Sequence, residues 1–220
     1  MKLNVILTGA TGMVGEGVLL ECLSNPDVES VLIINRKSSG MVHEKLKEII
    51  HQDFFDFTPL RERVKHYNAC FFCLGVSSIG MNEKDYSEVT YDLTMHVASV
   101  MAEANPEMTF CYISGASTDS TEKGRMMWAR VKGRTENALM QLPFKNAYMF
   151  RPGYLQPGKD QKNILKYYRW FSWMYPFWKA VFPKYVCTLR ELGKAMIRAA
   201  RDGYEKQILE VRDIKALSAS

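Results

Sequence analysis

Glycines 9, 12 and 15 stand in the run Thr8-Gly9-Ala10-Thr11-Gly12-Met13-Val14-Gly15. The run follows the apolar stretch Leu3 to Leu7 and leads into apolar residues at helical spacing from Met13 to Leu23. A strand–turn–helix of this kind leaves backbone N–H groups and the positive end of a helix free for phosphates. The three glycines permit a tight turn, approach of the backbone to a diphosphate and close packing of helix on strand. The pattern points to a bound dinucleotide, cradled by Gly9, Thr11, Gly12, Met13, Val14 and Gly15. The next β-branched run, Val31 to Ile34, ends in Asn35-Arg36-Lys37-Ser38-Ser39, two cations and two hydroxyls with no carboxylate. A carboxylate there would hold the 2′-hydroxyl of NAD, whereas Arg36 and Lys37 suit the 2′-phosphate of NADP. NADP is the expected cofactor and NAD the less favoured one.

Other reactive residue types show no such spacing. The histidines (His43, His51, His66, His96) have no metal-ligand spacing with one another or with the cysteines, so no metal site is expected. Cys70-Phe71-Phe72-Cys73 has redox-motif spacing but lies in an apparent strand, where a separation of three points the side chains to opposite faces. The five cysteines therefore read as buried thiols.

The elements that must position the turn alternate along the chain. Strands are expected at Leu3 to Leu7, Val31 to Ile34, Ile49 to Gln52, Ala69 to Leu74, Met108 to Ile113, Ala147 to Phe150 and Gln207 to Val211. Helices are expected at Met13 to Leu23, Tyr86 to Ala104, Met126 to Leu142 and Leu189 to Ala200. This alternation implies an α/β, Rossmann-type doubly wound parallel sheet. Without an internal repeat or low-complexity linker, residues 1–220 are expected to form one domain, with a small C-terminal helical cap mainly in 151–186.

Composition is that of a globular protein, with 47% hydrophobic and 24% charged residues, which excludes disorder. A net charge of +5 suits an anionic ligand and falls short of a nucleic-acid-binding signature. The apolar start is too short for a signal peptide, and no run of 18 apolar residues offers a transmembrane segment. With the scattered cysteines, these features give a cytoplasmic location as the expectation.

On these motifs the chain resembles the extended or atypical short-chain dehydrogenases/reductases, of the NAD(P)-binding epimerase/dehydratase type. The form TGxxGxxG is that family's version of the glycine turn. The resemblance implies adenine contacts at Asp53 and Phe54, passage of the cofactor ribose by Leu74 and Gly75, and an active-site serine at Ser114. Arg151-Pro152-Gly153 matches the family's turn after the sixth strand. Val131-Lys132-Gly133 through Glu136, Phe150 to Gly153 and Lys206 to Glu210 look most like the Tat-interacting-protein-like atypical reductases.

The family pattern Tyr-x-x-x-Lys is altered here to Trp128-Ala129-Arg130-Val131-Lys132. The resemblance gives Lys132 the nicotinamide ribose and Ser114 the substrate carbonyl, as the catalytic pair. An indole N–H is a donor only, so Trp128 cannot exchange a proton as the tyrosine would. Tyr154 could enter the site instead, or water could relay protons through Ser114 and Lys132. Otherwise the chain binds cofactor without turnover, as a sensor or scaffold for a protein partner. The aromatic block Tyr167 to Phe182 reads as core packing of the cap, a lid over an apolar or aromatic substrate, or a surface buried in a homodimer or on a membrane.

Overall fold

The computed structural model describes residues 2–158, 160–164, 181–182 and 184–219. Its centre is a seven-stranded, all-parallel sheet of β1 (Leu3–Thr8), β2 (Val28–Asn35), β3 (Leu46–Ile50), β4 (Ala69–Phe72), β5 (Thr109–Ile113), β6 (Asn146–Arg151) and β9 (Ile208–Glu210). The spatial order is β3-β2-β1-β4-β5-β6-β9. Chain progression reverses between β1 and β4, the crevice where such sheets bind ligands beyond the carboxyl ends of their strands.

The strands read as near-continuous apolar runs because both faces of the sheet are covered. Val5, Leu7, Phe71, Cys111 and Phe150 pack into one core beneath α1 (Met13–Ser24), α6 (Leu189–Asp202) and α7 (Val211–Ala219). Ile6, Cys70, Phe72, Phe110 and Met149 pack into the opposite core, against α4 (Leu93–Ala104) and the short α2 (Arg61–Val64). Cys70 and Cys73 thus face different cores, and all five cysteines are free. The helix expected from Tyr86 begins earlier, as α3 (Glu83–Ser87), and reaches α4 through a π turn at Glu88–Asp92. α5 (Met127–Leu139) joins β5 to β6.

Three expectations shift. β3 lies earlier than Ile49 to Gln52, because it is an edge strand carrying Lys47 and Glu48 on exposed positions, which hides its alternation. The last strand stops at Glu210 and α7 starts at once, with Asp213 Oδ2 accepting from Glu210 N at 3.1 Å. A second, two-stranded parallel sheet pairs β7 (Tyr154–Gln156) with β8 (Val186–Thr188) at the two ends of the expected cap. The aromatic block falls largely on residues 165–180 and so lies outside the described residues.

Candidate functional site

The glycine turn forms as its spacing requires. Gly9 has φ +77°, and a Cβ there would stand 2.7 Å from the Cys73 carbonyl oxygen. A Cβ on Gly15 would lie 2.1 Å from the Gly9 carbonyl oxygen, so only glycine lets α1 approach the turn. Gly12 differs: its N–H closes the turn on Gly9 O at 3.0 Å, but a Cβ would meet nothing nearer than 3.4 Å. Gly12 caps α1 with no side-chain hydrogen bond, so an open, donor-rich helix end faces that space. An open cradle at a helix N-terminus fits a diphosphate.

Two adjoining cavities run along the carboxyl ends of the strands. The first, about 580 Å³, is lined by Gly9 and Thr11 of the turn, Asn35 to Ser39 after β2, Gln52, Phe54, Leu74 and Asn163. The second, about 430 Å³, is lined by Val14, Cys73 to Val76, Ile113 to Ala116, Lys132, Pro152, Gly153 and Leu155. Leu74 belongs to both and joins them across the switch between β1 and β4.

Most expected cofactor residues lie on this groove: Gly9, Thr11, Val14, Arg36, Lys37, Phe54, Leu74, Gly75 and Lys132. Gly12, Met13 and Gly15 build the turn without lining either cavity; Met13 is buried, its carbonyl oxygen accepting from Gln161 Nε2 at 2.8 Å. Asp53 is not brought to the groove, because its Oδ1 folds back to accept from Phe55 N at 2.8 Å. Gln52 takes a lining position in its stead and donates to Arg36 O at 2.7 Å.

The loop after β2 carries a carboxylate that the local sequence does not show. Glu48 of the neighbouring β3 accepts from Ser38 Oγ at 2.6 Å, Ser39 N at 2.8 Å and Asn35 Nδ2 at 3.3 Å. Burial pushes its carboxyl up, but the bonds from Ser38, Ser39 and Asn35 outweigh this and hold it below the usual range. Asn35 Oδ1 accepts in turn from Ala10 N at 3.2 Å, tying the glycine turn to the loop.

At the other end, the backbone pairing of β5 and β6 continues past both strands, with Ser114 N on Phe150 O at 2.9 Å and Ala116 N on Pro152 O at 2.8 Å. Ser114 lines the cavity, yet its hydroxyl turns inward to Glu136 Oε1 at 2.5 Å. Glu136 is fully buried on α5 and pairs with Arg151, whose Nε lies 3.0 Å from Oε1. Arg151 also donates to Ser120 Oγ at 2.6 Å and meets Glu210 at 3.4 Å. Lys132 Nζ donates to the Ser114 carbonyl oxygen. Burial lowers the Lys132 ammonium to about 8, with Glu136 opposing the shift. Trp128, one turn earlier on α5, is half-buried and lines neither cavity. Tyr154 lines neither of these cavities: along β7 Leu155 faces the second, whereas Tyr154 lines a third, with Phe182, Tyr185 and Val186, that shares Gly153 with the second. Glu48 and Asn163 have no motif of their own, and Glu136 stands only at the end of a family-like block; strand, helix and segment partners bring the three to the groove or its supports.

Comparison with known proteins fits this architecture. Residues 5–124 match the model of the NAD dependent epimerase/dehydratase family. Protein fmp52, mitochondrial, of Emericella nidulans is 26% identical over 73% of this chain and 70% of its own length. Protein HTATIP2 of Rattus norvegicus is 26% identical over 73% of this chain and 66% of its own length, in keeping with the Tat-interacting-protein-like resemblance. Helicobacter pylori ADP-L-glycero-D-manno-heptose-6-epimerase superposes with a TM-score of 0.67 at 13% identity, covering 99% of this chain and 80% of its own. Bordetella bronchiseptica WbmF, solved in complex with NAD+, superposes equally well at 13% identity, over 98% of this chain and 77% of its own. These two likenesses establish the fold. The relatives overturn one expectation: four fungal FMP52 proteins are named mitochondrial, so the cytoplasmic assignment does not stand. By its family model and its fold, the chain belongs to the NAD dependent epimerase/dehydratase family.

Proposed function

We propose that this chain is an NADP-binding oxidoreductase for an apolar carbonyl or hydroxyl compound, with Trp128 standing where the family pattern has its tyrosine. The observation that carries the reading is the continuity of the groove. Leu74 joins the cavity of Arg36 and Lys37 to the cavity of Ser114 and Lys132. The dinucleotide, when bound, supplies hydride exchange at its nicotinamide. The chain's own groups divide the remaining work. The open end of α1 holds the phosphates, and Arg36 and Lys37 hold the 2′-phosphate. Lys132 Nζ binds ribose hydroxyls and, with its ammonium at about 8, exchanges a proton near neutral pH. Val14, Leu74, Val76, Ile113, Pro152 and Leu155 give the second cavity an apolar wall, which favours an apolar substrate over a sugar nucleotide.

A second reading, a cofactor-binding sensor without turnover, is favoured by the bond from Ser114 to Glu136. A hydroxyl whose single O–H donates to a carboxylate has no second donor with which to polarise a carbonyl. NADPH consumption against a panel of apolar ketones and aldehydes separates the two. Turnover that Lys132→Ala abolishes and Trp128→Tyr raises supports the oxidoreductase; tight NADPH binding with no turnover in either protein supports the sensor and overturns it.

A further inference from the structure

We propose that Asn163 is a contact for the phosphates of the bound dinucleotide, and that Glu16 is the residue that positions it. The proposal rests on reading the groove as a dinucleotide site. Every other described residue lining the first cavity lies between Gly9 and Leu74 in the chain, at the carboxyl ends of β1 to β4 or on the turns and loops that follow them. Among the described residues Asn163 alone comes from beyond β7, and it reaches the same cavity as Gly9 and Thr11.

Its arrival is fixed by an unusual use of a buried acid. Glu16 sits in the first turn of α1 and is only 3% exposed. Its two carboxylate oxygens each accept one consecutive backbone N–H: Oε1 takes Lys162 N at 2.9 Å and Oε2 takes Asn163 N at 2.7 Å. Gln161 adds a third tie, its Nε2 donating to Met13 O at 2.8 Å while its Oε1 accepts from Gly158 N at 2.7 Å. The segment is therefore bolted to the same helical turn that offers its N–H groups to the groove, and keeps its position relative to them. Charged acceptors make strong bonds with backbone donors, and a buried carboxylate left without them is heavily penalised. Glu16 spends both oxygens on the segment, which leaves the positive helix end to the ligand. A carboxamide brings two N–H donors and no charge, and suits phosphate oxygens already facing a helix N-terminus.

The test measures Kd for NADPH and NADH on the full chain. Asn163→Asp, which replaces the donors with an anion, is expected to weaken both by about tenfold or more with their ratio unchanged. Asn163→Ala is expected to weaken both several-fold. ADP should follow the same losses, whereas adenosine, lacking phosphates, should bind each variant as it binds the wild type. Glu16→Ala should reproduce the Asn163→Ala losses and speed hydrogen exchange at Lys162 and Asn163, with Glu16→Gln, which keeps one acceptor, in between. Wild-type affinity for NADPH, NADH and ADP in Asn163→Asp would overturn the proposal, as would equal losses for adenosine. A wild-type protein that binds neither dinucleotide would overturn the dinucleotide reading and this proposal with it.

Discussion

Ser114, at the cleft end of β5, donates its hydroxyl hydrogen bond to Glu136 of α5 across 2.5 Å and so links the candidate site to a buried ion pair. Glu136 and Lys132 are four residues apart on one face of α5, and Lys132 Nζ holds the Ser114 carbonyl oxygen. Ser114 is thereby held at its backbone by the lysine and at its side chain by the carboxylate. Arg151, 8% exposed, balances the carboxylate from β6.

Glu136→Gln removes the charge but not the shape, leaving Arg151 with Ser120 and the more distant Glu210 as its partners. Breaking a buried pair from one side costs about 3–5 kcal/mol. Melting should fall by on the order of 10 °C for a chain of this size. The double variant Glu136→Gln/Arg151→Met should recover much of the loss, and calorimetry of the three proteins checks it. Equal melting temperatures for wild type and Glu136→Gln would sink the account.

Lys132 gives a pH signature of definite sign. Its folded value of about 8 lies below the roughly 10.4 of an unfolded lysine, so between the two the unfolded chain binds the proton more tightly. The resulting destabilisation is fully present below pH 8 and fades as pH rises toward about 10.4. Lys132→Met should therefore stabilise the fold most at pH 7, with the gain shrinking by pH 9.5. Denaturant melts at both pH values decide this; a gain that is flat or grows with pH refutes it.

The two ends of the loop after β2 separate charge from positioning. Arg36→Ala with Lys37→Ala should weaken NADPH by about tenfold or more while NADH changes little, since the lost contacts are charge-assisted. Glu48→Ala frees Ser38, Ser39 and Asn35 together and should also lower the NADPH preference. Glu48→Gln, which retains an acceptor, should preserve more of it. Titration of each variant with both cofactors gives the ratio, and an unchanged ratio in the double alanine variant dismisses the 2′-phosphate assignment.

Gly12 and Gly15 should part company. Gly12→Val sets its Cβ at an ordinary 3.4 Å contact with Gly9 O, so melting should stay near that of the wild type while dinucleotide binding is lost. Gly15→Ala drives a Cβ to 2.1 Å from Gly9 O and should destabilise the fold itself. Thermal melts paired with binding isotherms distinguish the two, and full NADPH affinity in Gly12→Val would remove the cradle from the site.

Much of the frame was legible because local rules and the tertiary outcome agree. Glycines at 9, 12 and 15 fit one backbone shape, and the apolar strands match a sheet covered on both faces. Asp53 does not line the groove, and an Asx turn ties one of its carboxylate oxygens within two residues. The helix Val211–Ala219 was missed because it follows the last strand with no intervening turn signal.

The sequence by itself determined the order of the seven main-sheet strands, the glycine turn at the mouth of the first helix and the cations after β2, since each depends on neighbouring residues and their periodicity. Only the tertiary structure decided which distant side chains share the groove. Strand pairing sets Glu48 under Ser38, helix docking sets Glu136 between Ser114 and Arg151, and Glu16 draws Asn163 to the glycine turn. A carboxylate buried by packing must find donors wherever the fold brings them, and no local pattern records where those donors will be.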